Sequence, residues 1–329
     1  QGAVSTNDEI LIFTDSSIYS MRYLGDIIDI FGFSLITEGV EIVTTRAAVN
    51  AANSVFFMGS DGFYVYTGRV EPLQCPVQSY VFDDFNHEQR AKTFASVNSV
   101  FSEVMWFYCS KDSFEPDRYV CFNYKDRVWS IGSYDMSSVS ESGSSTNSYA
   151  RTAWHDATVF DKPFATYTTS YDNSTTPVTQ KCSVAIHETG SSAFTACLDS
   201  HIESGEVDIS DGERVSMYTR MIPDIQLFNV SDSVSSAAVT VSLKGRDFPG
   251  NPDAQLTSVD VKFDPSSSTD DSSLQYTTNP ASTWTADNGN YMSIRGRGRS
   301  VSMRLSSDEH GFQWRAGSMR LDIRPDGRR

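Results

Sequence analysis

Residues 55–66 run Val55-Phe56-Phe57-Met58-Gly59-Ser60-Asp61-Gly62-Phe63-Tyr64-Val65-Tyr66. Two apolar runs flank a Gly-Ser-Asp-Gly turn. Aromatic and β-branched side chains suit a pleated, half-buried surface, and Asp-Gly accepts the backbone angles of a tight reversal. The segment predicts a β-hairpin. The same theme recurs on both sides of it. Ile10-Leu11-Ile12-Phe13 is followed by Thr14 to Ser17 and then Ile18-Tyr19-Ser20-Met21. Val104 to Tyr108 is followed by a loop through Pro116, then Arg118 to Phe122, then Arg127 to Ser130. Phe164 to Tyr167 and Cys182 to His187 make the last example.

The hairpins recur at an uneven spacing of roughly 40–60 residues, which overlaps the blade length of propellers. A small sheet cannot bury both faces alone, and radial stacking of several sheets does so while leaving short edges. Four such units are few for a closed ring. The chain starts Gln1-Gly2-Ala3, without an initiator Met or signal-peptide pattern, so further blades are expected upstream. One helix of about two turns is expected near 84–92, where Asn86 and Gln89 have capping-box spacing. Residues 137–147 and 265–273 are low in complexity and read as exposed loops.

From about residue 200 the pattern becomes strict alternation. Ala237, Val239, Val241 and Leu243 point one way, and Thr240, Ser242 and Lys244 the other. Residues 202–209, 213–220, 259–263, 299–305 and 319–323 follow the same rule. Many half-buried strands predict an antiparallel sandwich. The expected architecture is therefore all-β: an incomplete β-propeller-like region of repeated hairpins over 1–199, then an antiparallel β-sandwich over 200–329.

Composition agrees. Ser and Thr together reach about 23%, well above an average chain, while charged residues stand at 21%. The 42 acidic side chains against 26 basic ones give a net charge of −16, which argues against a protein that grips DNA or anionic lipid over its whole surface. The charge is uneven. Residues 295–329 hold nine arginines and four acids, a local +5, which leaves −21 on residues 1–294. Arg295, Arg297 and Arg299 alternate with Gly296 and Gly298, so on a strand they would share a face. Three readings fit this strip, which ends in Arg328 and Arg329. It is an Arg-Gly nucleic-acid contact, a protein interface with acidic surface, or a solvated edge kept from aggregating by charge.

Signatures of catalysis are sparse. His87, His155, His187, His201 and His310 are scattered without metal-ligand spacing, and phosphate-loop and esterase-elbow motifs are absent from the sequence. His155-Asp156 could form an acid–base pair or simply a loop at a blade edge. Asp208 to Glu213 has calcium-type oxygens without EF-hand spacing, and a tight turn explains Asp211-Gly212 equally well. No catalytic residue, cofactor or metal is expected. Cys75, Cys109, Cys121, Cys182 and Cys197 lack disulfide or zinc spacing and read as reduced thiols; the sequons at Asn173 and Asn229 then carry no weight. The apolar stretch 27–36 contains Asp29 and is too short to span a bilayer. A propeller glycosidase would need a carboxylate pair, and Ser60-Asp61-Gly62 departs from the Asp-box spacing of sialidases. In a glycan-binding propeller, Trp154 and Trp284 would stack on sugars.

Several segments resemble the tail nozzle, or tail stabilisation, proteins of short-tailed bacteriophages. They are residues 18–25 with Phe31-Gly32-Phe33, residues 57–66, Asp117 to Val120, Ala150 to Trp154, and the ending from Gln313 to Arg329. The resemblance implies a ring of identical subunits, six in the family, forming the distal tube of a virion tail. It implies docking on an adaptor or tubular ring, contact with fibre, spike or needle proteins, and passage of genome DNA through the lumen without specific binding. Carboxylates lining such a tube would repel phosphates and keep DNA from sticking. The C-terminal arginines would then face protein.

Overall fold

The computed structural model describes residues 2–26, 29–134, 150–157, 160–173, 176–190, 192–193, 196–197, 199–209, 213–228, 237–248, 255–263, 274–278, 292–308 and 311–326. Side chains are described for these except 168–173, 176–181, 192–193, 196–197, 227–228, 237, 255–263, 274–278 and 292–293. The expected loops at 137–147 and 265–273, together with Trp284, His310, Arg328 and Arg329, lie outside the described residues. The chain divides into two compact units, Gln1–Thr189 and Gly190–Arg329, about ten residues before the boundary read from the alternation.

The first unit is a series of antiparallel meanders. The first sheet holds β1 (Gly2–Ser5), β2 (Ile10–Phe13), β3 (Ser17–Tyr23) and β4 (Phe31–Glu38) in that order. The second holds β5 (Ala48–Ala51), β6 (Ser54–Met58), β7 (Phe63–Tyr66) and β8 (Val70–Leu73). The third holds β9 (Phe94–Asn98), β10 (Glu103–Tyr108), β11 (Arg118–Asn123) and β12 (Val128–Ser133). The fourth has three strands: β13 (Arg151–His155), β14 (Phe164–Asn173) and β15 (Thr176–Ile186). The opening strands contact one another in succession, β1 to β5 to β9 to β13, as the innermost strands of adjacent blades do. Every predicted hairpin is present. The pairing Val55↔Tyr66 and Met58↔Phe63 fixes the one at 55–66. The β5–β6 reversal was not foreseen. Ala52 and Asn53 both carry positive φ, 49° and 61°, as a two-residue primed turn requires.

Interior sheets are apolar on both faces, which is why β10 reads as a continuous run. Val104, Trp106 and Tyr108 join the core shared with the second sheet, and Met105 and Phe107 join the cluster shared with the fourth. Ring pairs mark each seam: Phe13–Phe57 at 5.1 Å, Phe63–Trp106 at 5.0 Å and Phe107–Trp154 at 5.7 Å. Three indoles also donate to a carbonyl of the neighbouring sheet or its flanking chain. Trp106 Nε1 reaches Ala47 O at 3.1 Å, Trp129 Nε1 reaches Gln74 O at 2.9 Å, and Trp154 Nε1 reaches Val97 O at 3.1 Å. A buried indole N–H must find an acceptor, so each Trp fixes orientation as well as spacing.

The expected helix at 84–92 is shorter and differently built. An α-helix, α1 (Gln78–Asp83), precedes a 3-10 helix at His87–Lys92. Asn86 does cap the latter, its Oδ1 accepting from the backbone N–H of Glu88 and Gln89. The Asn86 N–H donates to Cys109 O, so the reciprocal half of a capping box is replaced by a tertiary bond to the third sheet.

The second unit begins with β16 (Ser192–Ala193) and β17 (Ala196–Cys197), paired with each other. The strands β18 (Ser200–Glu203), β19 (Val207–Asp208), β20 (Ser216–Ile222), β21 (Ile225–Phe228), β22 (Ala237–Arg246), β23 (Gln255–Phe263), β24 (Leu274–Thr278), β25 (Met292–Gly298), β26 (Ser300–Ser307), β27 (Gln313–Ala316) and β28 (Arg320–Pro325) follow. One sheet runs β18-β26-β22-β23-β24, with β19 also on β26; a second runs β25-β20-β28; β21 pairs with β27. β25 packs on β22 and β23, so the two larger sheets face each other as a sandwich. Val239, Val241 and Leu243 point inward, as the alternation predicts, against Tyr218, Met221, Ile294 and Leu305. The protein is all-β, an incomplete propeller-like array followed by an antiparallel sandwich.

Candidate functional site: a basic sheet face

The Arg-Gly strip is a packing device on one side and a charged surface on the other. Gly296 faces inward, where an added Cβ would lie 2.2 Å from the ring of fully buried Tyr218. A Cβ on Gly298 would lie 2.7 Å from Arg246 N. The glycines therefore let β25 close onto Tyr218 and β22, and the arginines between them are turned outward.

Register assembles a wider surface than the strip itself. Met217 pairs with Arg297 on one side and Arg324 on the other. Arg220 lies opposite Asp322, and Ile222 opposite Arg320. Strand partners share a face, so Arg220, Arg295, Arg297, Arg320 and Arg324 share the outer side of the β25-β20-β28 sheet with one acid, Asp322. Arg324 Nη2 is 3.6 Å from Asp322 Oδ2. All five arginines are exposed, and Met217 and Ile222 between them are 36% and 44% exposed. Arg299 corrects the expectation of three arginines on one face. It sits in the bend between β25 and β26, with Nη1 donating to Glu213 O at 2.8 Å. Arg304 also faces elsewhere, 3.4 Å from Glu203. Arg220 and Arg320 were not legible as members of the surface, because only long-range register brings them there.

A second polar cluster lies at the seam of the third and fourth sheets. Asn98 is fully buried, and its Nδ2 donates to Glu188 Oε1 at 3.1 Å and Glu103 Oε2 at 3.4 Å. Burial raises both carboxyl groups above their ordinary range, and the Glu188 charge adds to this at Glu103. Glu188 adopts φ of 56°, a left-handed conformation costly for a side chain with a Cβ. Nearby, buried Arg151 lies over the Tyr134 ring at 4.3 Å and donates from Nε to His187 Nε2 at 3.0 Å. Burial and the adjacent cation push His187 down to about 4, so it is neutral at pH 7 with its lone pair on Nε2.

The other sequence candidates resolve plainly. Asp156 accepts from the N–H groups of Ser99 and Ala157, while the His155 ring stacks on Phe164 at 4.8 Å. These two are a loop cap and a stacked ring, not an acid–base pair. The Trp154 indole is engaged at the sheet seam as described above. Among the described residues, no group of three or more His, Cys, Asp and Glu could hold a metal ion. Cys75, Cys109, Cys121 and Cys182 are free thiols; burial pushes Cys75 up to about 11 and Cys109 up to about 12, which leaves them unreactive at neutral pH. A cleft of about 510 Å³ beside the 3-10 helix is lined by Phe85, His87, Lys111 and Phe114. No helix among the described residues is long and apolar enough to cross a membrane.

The sequence matches no family model and no curated protein. Among solved structures it is similar to a single-residue variant of the fructofuranosidase from Schwanniomyces occidentalis complexed with fructosylnystose, at 7% identity and a TM-score of 0.23, over 96% of this chain and 77% of that one. A likeness this distant says nothing about chemistry.

Proposed function

We propose that this chain is a structural subunit of the tail nozzle of a short-tailed bacteriophage. Identical copies form a ring, six in the family the sequence resembles, around a channel crossed by genome DNA during ejection. The observation that carries the reading is the partition of charge. A chain of net −16 gathers five arginines on one sheet face of its second unit. Such a face is attracted to acidic protein surface, and the body of an identical copy supplies it. An adaptor ring, fibre, spike or needle protein with an acidic surface would dock by the same chemistry. The acidic remainder repels phosphates, so DNA passes without the counterion-release binding a basic lining would impose. No turnover, cofactor or metal enters this role.

Native mass spectrometry and electron microscopy of the purified chain test it. A ring with an open centre is expected, and reversing the face with Arg297→Glu and Arg324→Glu should weaken assembly, most visibly at low salt. Duplex DNA should not be retained in a gel-shift assay at physiological salt. A monomer at every concentration, or tight DNA retention abolished by the same two changes, overturns the reading.

A further inference from the structure

The cleft beside the 3-10 helix has walls that are fixed before anything binds. Its volume of about 510 Å³ lies within the range of ligand-sized pockets. One wall is made by residues 85–88 and the other by Lys111, Asp112 and Phe114. One side chain, Asn86, holds both. Its Oδ1 accepts from the N–H groups of Glu88 and Gln89, and its Nδ2 donates to Lys111 O at 3.3 Å and Ser113 O at 3.0 Å. Its own N–H donates to Cys109 O at 3.0 Å, and Lys92 Nζ donates to Phe114 O. A ligand entering this cleft does not carry the cost of ordering its walls.

The lining is aromatic and acidic. Phe85 is buried, with the His87 ring edge-on to it at 5.1 Å. Phe114 is 71% exposed, although the loop that carries it is pinned. Glu88 and Asp112 are exposed, and among the described residues neither forms an ion pair. Lys111 offsets one of these carboxylates, so the lining keeps a net negative charge. Aromatic rings beside carboxylates suit a planar cation: the ring face attracts a guanidinium group, and the carboxylate accepts its N–H fork. The chain makes the first of these contacts internally, with Arg46 5.9 Å from the Phe94 ring centre and Arg151 4.3 Å from that of Tyr134.

We propose that this cleft receives arginine side chains from the β25-β20-β28 face of a second copy. The inference rests on the ring reading above and deepens it, naming the place on the acidic body where that face docks. Charge complementarity identifies the occupant. Arg295 and Arg297 stand two positions apart on one strand, about 7 Å, and Arg220, Arg320 and Arg324 lie on the neighbouring strands. Exposed Met217 and Ile222 between them offer apolar surface to the Phe114 ring. The face thus carries cations and aliphatic groups, and the cleft carries carboxylates and rings. Cleft and face are different surfaces, so the contact is heterologous and propagates from copy to copy until a ring closes.

A charge swap followed by native mass spectrometry and light scattering tests this. One chain carries Glu88→Lys with Asp112→Lys, and the other carries Arg297→Glu with Arg324→Glu. Each alone should weaken association by about 10-fold or more at low salt, and by less at high salt. An equimolar mixture should assemble again, because each reversed cleft then meets a reversed face and each native cleft a native face. The isosteric pair Glu88→Gln with Asp112→Asn should weaken association in the same direction by less, and Phe114→Ala by about 5-fold or more. Weakening by the arginine changes with none from the cleft changes overturns this inference and leaves the ring reading standing. Weakening by both without recovery in the mixture also overturns it. A wild-type chain that stays monomeric overturns both readings. Retention of a neutral glycan that Phe114→Ala abolishes while rings persist would make the cleft a sugar site and overturn the proposed contact.

Discussion

Glu9 ties the first two sheets together and offers the sharpest quantitative test. Its carboxylate accepts from Arg22 Nε at 2.8 Å and Ser20 Oγ within the first sheet, and from Tyr66 OH at 2.5 Å in the second. The Glu9 side chain is 7% exposed, and Ser20 and Tyr66 are buried. Burial alone would raise this carboxyl group, but the bonds from Arg22, Ser20 and Tyr66 together outweigh it and hold it down to about 2 from an ordinary 4.5. That difference corresponds to about 3 kcal/mol of folding stability, an upper figure because Arg22 is largely in solvent. Its sign follows from the lowered value. The contribution is whole above pH 4.5 and is lost as pH falls toward 2. Glu9→Gln keeps the shape but turns an amide N–H₂ either toward Tyr66 OH or toward the Ser20 and Arg22 donors, and removes the charge. Urea unfolding followed by tryptophan fluorescence should show a cost of about 2–3 kcal/mol at pH 7 that shrinks toward zero by about pH 2.5. The same cost at both pH values would mean that the loss is one of packing, and a cost below about 0.5 kcal/mol at pH 7 would refute the network.

Other changes probe the remaining features. Glu188→Gln should stabilise the protein at pH 7. Both Glu103 and Glu188 have raised folded values, so their ionisation weakens the fold as pH rises through the carboxylate range; the gain should vanish in acid, and a pH-independent effect would contradict this. Gly296→Ala should cost about 1–3 kcal/mol by driving a methyl into Tyr218, and thermal unfolding within about 0.5 kcal/mol of wild type would show that the ring yields. Trp106→Phe removes the indole donor to Ala47 O from a fully buried site, with an expected cost of about 2–4 kcal/mol; a near-neutral result would mean that the bond does not order the seam.

Hairpin strands were legible because pairing and burial leave local marks. At 55–66 the turn residues and both apolar runs sit within twelve positions. The opening strands were not. Arg151–His155 and Gly2–Ser5 have no strand-like run, and they are strands because a neighbouring hairpin offers an unpaired edge. The short helix expected at 84–92 is present as the 3-10 helix His87–Lys92 with Asn86 as its cap, because an N-cap is written in adjacent residues; its 3-10 geometry and the Asn86 N–H bond to Cys109 O were not legible.

Sequence alone determined the all-β class, the change from hairpins to alternating strands, and the partition of −16 into an acidic body and an arginine-rich end. These depend on residue type and short-range order, which the chain states directly. Tertiary structure alone decided which side chains meet. Arg297 and Arg324 share a face only because β20 lies between their strands, and Asn98 touches Glu188 across 90 positions only because two sheets stack. Strand register and sheet packing are settled by the summed burial of many distant groups, and no local stretch of the chain encodes that sum.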